Sequence, residues 1–305
     1  MFSNRGCLVM RQEEVIQTMK TVSLVLGSGG ARGLAHIGVI HWLEEKGYTI
    51  ASISGCSMGA LIGGIYAAGE LDKFEHWVRA VTKIDIVTLL DVSWNKSGLV
   101  KGDKIINTLV ELVGNQRIED LPISYTAVAA DIKNEKEVWI NSGSLFDAIR
   151  ASISLPLFFT PFSRNGVKLI DGGVLNPVPI APTFSDDTHM TIAVNLGGSM
   201  ESNQPGHDVP TEPVAVSMQL HEKISSYIKR FQQNTARESE VNWGIYDVAN
   251  QAFDAMQSTI ARQKLAAYPP DYTIEIARNA CGTLEFDRAD EMIGLGYRKA
   301  RENLS

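Results

Sequence analysis

TVSLVLGSGGARGLAHIGVI, residues 21–40, reads as a short apolar strand that runs through a glycine-rich turn into an amphipathic helix. A turn of this kind aims backbone N–H groups at a helix N-terminus. It therefore suits a negative charge, either a nucleotide phosphate or the oxyanion of an acyl-transfer intermediate. Spacing separates the two. A G-x-G-x-x-G dinucleotide fingerprint begun at Gly27 needs glycine where Arg32 stands, and an acidic residue closing the second strand, which ends in Ser54-Gly55. A Walker A loop needs Gly-Lys-Ser/Thr, and the chain continues Arg32-Gly33-Leu34.

Downstream, TIASIS forms the second strand and SMGALIGGIYAAG a helix of small residues, with Gly55-Cys56-Ser57-Met58-Gly59 between them. This is a G-x-S-x-G nucleophile elbow in the strand-to-helix context its chemistry requires. Gly55 and Gly59 let strand and helix approach, and Ser57 occupies the strained turn with its hydroxyl exposed. Gly29 and Gly30, at the end of the neighbouring strand, can aim N–H groups at the same point. On this reading the glycine turn holds a developing alkoxide.

A serine nucleophile needs a proton acceptor. His36 and His41 sit on the first helix, His76 in another helix, and His189 at the start of a strand. His207 and His221 lie in a polar linker and on an amphipathic helix. None is placed at the C-terminal edge of a strand. Asp171 is: it ends VKLI and is followed by Gly172-Gly173, which present its carboxylate without crowding. A serine–aspartate dyad works in a dry site, because desolvation raises a carboxyl pKa from near 4 towards the range useful for a base. Taken singly, Ser57 reads as readily as a helix cap and Asp171 as a turn residue. Their order, each at a strand end, favours chemistry.

Strand and helix signals alternate to about residue 200, which implies parallel strands. DKIINTLVELVG reads as a helix capped by Asp103, SYTAVAAD and KEVWI as strands, and SLFDAIRASIS as a helix ending before Pro156. Residues 1–20 read as an N-terminal extension and 21–200 as the catalytic α/β domain. Residues 201–305 read as a C-terminal helical region that returns one strand, PPDYTIEIA, to the sheet. Between them, residues 199–213 read as a polar linker or a lid, and Leu220, Ile224, Tyr227, Ile228 and Phe231 share one helix face. That stripe suits core or a homo-oligomer surface, with a lipid-docking face as the alternative.

The 305 residues carry a formal net charge of -7, which argues against nucleic acid as a partner. Three scattered cysteines, Cys7, Cys56 and Cys281, make neither a disulfide framework nor a metal site and point to a reducing, cytoplasmic compartment. No apolar run reaches the roughly 18 to 20 residues of a membrane span, so any membrane contact is expected to be peripheral.

Four segments, GSGGARG, GCSMG, ASISLP (Ala151–Pro156) and DGG at Asp171, together resemble the patatin-like phospholipase family, in its bacterial and neuropathy target esterase-like branch. The resemblance implies a patatin-like three-layer α/β fold with a mainly parallel sheet. It also implies acyl-ester hydrolysis of lipids, phospholipase A or lysophospholipase-like, without cofactor or metal. Carried over by motif, Ser57 is the nucleophile, Asp171 the base, Gly29 and Gly30 the oxyanion donors, and Arg32 a brace for the loop. Ser28 departs from the glycine many members carry there. A regulatory or scaffolding protein of low turnover on the same fold is the alternative, and a nucleotide-binding module the third reading.

Overall fold

The apolar run in TVSLVL forms the strand its composition predicts, β1 (Lys20–Leu26), in the middle of the sheet. The computed structural model describes residues 20–89, 102–156, 158–201 and 245–305. Outside them lie the N-terminal stretch with Cys7, most of the expected linker with His207, and the amphipathic stripe with His221.

From β1 the chain passes through a 3-10 turn (Gly30–Leu34) into α1 (Ala35–Glu45). Then follow β2 (Tyr48–Cys56), α2 (Met58–Ala67), α3 (Leu71–Ala80) and α4 (Lys83–Leu89). α5 (Asp103–Val113), β3 (Ser124–Asp131), β4 (Lys136–Ile140) and α6 (Leu145–Ser152) come next. After β5 (Phe162–Arg164), β6 (Val167–Asp171) and β7 (Met190–Gly198), the last elements are α7 (Ile245–Ala267), β8 (Tyr272–Ala277) and α8 (Ala289–Leu304). Asp103 does not cap α5. Gly102 holds that position with φ 72, and Asp103 falls in the first turn, where its charge still favours the helix dipole.

Among the described residues eight strands form one sheet, with hydrogen-bonded neighbours in the order β5-β6-β3-β2-β1-β7-β8 and β4 also on β3. The run β3-β2-β1-β7-β8 is parallel, whereas β4, β5 and β6 pair antiparallel. The two faces are covered separately. Val22, Leu24 and Leu26 enter the large core shared with α1, α2 and α8, while Val25 points the other way, towards Ala261 of α7. The result is a three-layer α/β fold, with α8 packed along α1. Among the described residues no helix is long and apolar enough to cross a membrane.

One detail of the sheet positions the site. β4 pairs with Ala127–Asp131, so β2 and β6 must divide the other edge of β3: β2 takes Ser124–Val128 and β6 takes Ala129–Asp131. Running in opposite directions along that edge, the two strands meet end to end. Cys56 and Asp171 pair with the consecutive residues Val128 and Ala129.

Candidate active site

Where β2 stops, Ser57 turns the chain with φ 54 and ψ −122, and α2 begins at the next residue. Few non-glycine residues adopt this conformation, and it persists because the surroundings enforce it. The Ser57 N–H donates to Ser152 Oγ (2.9 Å), and the Ser152 hydroxyl donates to the Val128 carbonyl (2.6 Å). Gly59 must be glycine, because a Cβ there would collide with the carbonyl of Leu26 as α2 crosses β1. Gly55 packs in the same tight crossing, against the backbone of Gly59. No side chain caps α2, so the positive end of its dipole rests on Ser57.

Asp171 closes β6 and is 0% exposed. Its N–H donates to the Ser154 carbonyl (2.9 Å), so the ASISLP segment holds both residues: Ser152 grips Ser57, and Ser154 grips Asp171. Oδ1 accepts from Gly173 N (2.8 Å) and weakly from the Cys56 thiol (3.8 Å). Gly172 packs against the Val128 carbonyl. Oδ2 is buried and has no hydrogen-bond partner among the described residues. Burial pushes the carboxyl up to about 6, and the Ser57 hydroxyl, the Gly173 N–H and the Cys56 thiol pull it back. The Ser57 hydroxyl adjoins the carboxylate without completing a hydrogen bond of ordinary geometry in this conformation. Cys56 and Cys281 are free and buried, and burial lifts both thiols well above their usual range.

The glycine turn is held on both sides of its centre. Gly27 N donates to Val194 O (3.0 Å), Ser28 N to Pro177 O (2.8 Å) and Ala31 N to Thr283 O (2.9 Å). Between them, the N–H groups of Gly29 and Gly30 make no hydrogen bond among the described residues. Gly30 has φ 57, and a side chain there would strike Thr283. Arg32 is buried and donates to the Arg278 carbonyl (2.8 Å) and to Asp254 Oδ1 of α7 (3.2 Å). His36 is buried beneath the turn, and its Nε2–H donates to the Gly27 carbonyl (2.9 Å). Burial pushes its pKa down to about 4 and keeps the ring neutral. Among the described residues no histidine lines the space around Ser57.

That space is an open cleft, predominantly apolar as small-molecule sites are. Ser57 and Gly30 lie in its wall, and the remainder is nearly all apolar, drawn from α2, α3, α4 and α5, from Ile153, Leu155 and Phe159, and from residues 283–286. Among the described residues, Ser57 and Thr283 are the only hydroxyl side chains in the lining. Sequence reasoning missed Ser152 and Ser154; ASISLP stood out by resemblance, but no local signal pointed to what its serines hold.

A strained serine beside uncommitted amides, opening on an apolar cleft, is the equipment of a carboxylic ester hydrolase. Comparison with known proteins agrees. The family model described as patatin-like phospholipase matches residues 24–184, and the chain belongs to that family of lipid ester hydrolases. A protein of Mycobacterium tuberculosis named "Uncharacterized NTE family protein" is 39% identical over 93% of this chain and 91% of its own length. "Lysophospholipase NTE1" of Coccidioides immitis is 28% identical over 93% of this chain, which spans 18% of that much longer protein. "Lysophospholipase NTE1" of Saccharomyces cerevisiae is 30% identical over 59% of this chain and 11% of its own length.

Proposed function

We propose that this chain hydrolyses the acyl ester of a phospholipid or lysophospholipid through a Ser57–Asp171 dyad. The observation that carries the reading is the meeting of β2 and β6 on β3, which puts a fully buried carboxylate beside the elbow serine in the wall of an apolar cleft. The Asp171 carboxylate takes the Ser57 hydroxyl proton as Oγ attacks the ester carbonyl. The N–H groups of Gly29 and Gly30 receive the resulting oxyanion. Collapse expels the glycerol oxygen, which recovers the proton from Asp171, and leaves an acyl-serine. Water then attacks the acyl carbon, passing its proton to Asp171; when the second intermediate collapses, the fatty acid leaves and Ser57 regains the proton. A hydrogen bond that is open before substrate arrives and closes in the complex is ordinary for such pairs.

The apolar lining favours a long acyl chain, and the names of the fungal relatives favour lysophospholipids. Substrate of that kind resides at lipid surfaces, so contact with a membrane is peripheral. The test is fluorophosphonate labelling together with fatty acid release from lysophosphatidylcholine, comparing wild type, Ser57→Ala and Asp171→Asn, each checked for folding by circular dichroism. Ser57→Ala is expected to lose both signals, and Asp171→Asn to lose turnover. Labelling that survives in folded Ser57→Ala sinks the assignment.

A further inference from the structure

The two side chains that flank the uncommitted amides, Ser28 and Arg32, both reach the same face of α7. Gln257 Nε2 donates to Ser28 Oγ (3.1 Å), and Asp254, one turn earlier, takes Arg32 (3.2 Å). α7 also packs on the turn that follows Asp171. There Gln257 Nε2 occupies the place a side chain at Gly173 would need, with Ser28 Oγ 2.7 Å and Asp171 Oδ1 3.0 Å from the same point. The Gln257 amide therefore adjoins the oxyanion turn and also the Gly173 N–H that holds Asp171. Gln257 is 8% exposed and does not line the acyl cleft.

We propose that Gln257 is a positioning residue that sets the distance between the oxyanion amides of Gly29 and Gly30 and the carboxylate of Asp171, with the Arg32–Asp254 pair fixing the other end of the turn. The inference rests on the dyad reading above. Such a residue acts on the transition state, because the oxyanion needs donors about 3 Å away and a displacement of 1 Å costs up to about 100-fold. Substrate binding in the cleft stays as it was.

The experiment measures kcat, KM and the pH profile of lysophosphatidylcholine hydrolysis in the full chain for wild type, Gln257→Leu, Gln257→Glu and Asp254→Asn, with Ser57→Ala as the blank. Gln257→Leu is expected to lower kcat by about 10- to 100-fold with KM within about twofold. The groups acting on Asp171 in the wild type are the uncharged Ser57, Gly173 and Cys56. Gln257→Glu adds a like charge and should move the acid limb of kcat/KM upward by about one pH unit. Asp254→Asn should lower kcat less than Gln257→Leu, and it keeps the test alive if that variant does not fold. Variants with melting points lowered but kcat within about twofold, or an unmoved acid limb in Gln257→Glu, overturn the proposal. Wild-type turnover no higher than the Ser57→Ala blank overturns the dyad reading instead.

Discussion

The hydroxyl of Ser152 receives the backbone N–H of Ser57 at 2.9 Å and gives its own proton to the Val128 carbonyl at 2.6 Å. The elbow conformation, φ 54 at a serine, is thus tied to β3 by a side chain from the end of α6. Ser152 is fully buried, so removing its hydroxyl strands a donor and an acceptor together. Ser152→Ala is expected to cost about 1–3 kcal/mol in urea unfolding and to lower kcat as the elbow relaxes. Unchanged stability and turnover would show that the elbow holds itself.

Acid should switch the enzyme off through Asp171. With its carboxyl at about 6, Asp171, the base of the proposed dyad, is ionised at neutral pH and protonated below it. The slope of kcat/KM should be about tenfold per pH unit below that value, with a plateau above. Steady-state kinetics from pH 4.5 to 8 checks this. An acid limb centred near pH 4 would mean that another group takes the proton.

The same burial makes Asp171 a cost to the fold. Its pKa rises from 3.8 to about 6 on folding, so the folded state binds more protons in that window and loses stability as pH climbs through it. The loss is about 3 kcal/mol at pH 8. Asp171→Asn should therefore be more stable than wild type by about that amount at pH 8, with the gap vanishing below pH 4. His36, pushed down to about 4, works in the opposite sense: its contribution is present above 6.5 and lost as pH falls. It does so equally in both proteins, so the difference in unfolding free energy isolates Asp171.

Ile105 of α5 lines the cleft and is neither the elbow residue nor a partner of Asp171. Ile105→Trp narrows the acyl path without touching the dyad. Turnover of long-chain lysophospholipid is expected to fall at least about tenfold relative to a short-chain ester, the order of effect that hydrophobic pockets show for size. Fluorophosphonate labelling should proceed as in wild type. An equal loss on both substrates would place the acyl chain elsewhere.

What could be read from the sequence was local. The glycine turn and the G-C-S-M-G elbow are legible because their glycines and their strand-to-helix context lie within a few residues of the atoms they serve. Short apolar runs likewise mark β1 and β2, and Gly47 marks the end of α1 with φ 74. Asp171 before two glycines is legible as a carboxylate presented at a strand end.

The partnership of these parts belongs to the tertiary structure. VKLID has the composition of a strand and no mark of direction; only its pairing on β3 shows that β6 runs antiparallel and meets β2 head-on. Asp103 looks like a helix cap in the sequence, yet the left-handed position at Gly102 takes that place. Ser152, Ser154 and Gln257 carry no local signature, because a single hydroxyl, carbonyl or amide gains a role only from what the fold sets beside it. The sequence by itself determined the chemical groups and the turns that expose them. The long-range pairing of strands, together with the burial it imposes, decided which groups meet and how strongly they act on one another.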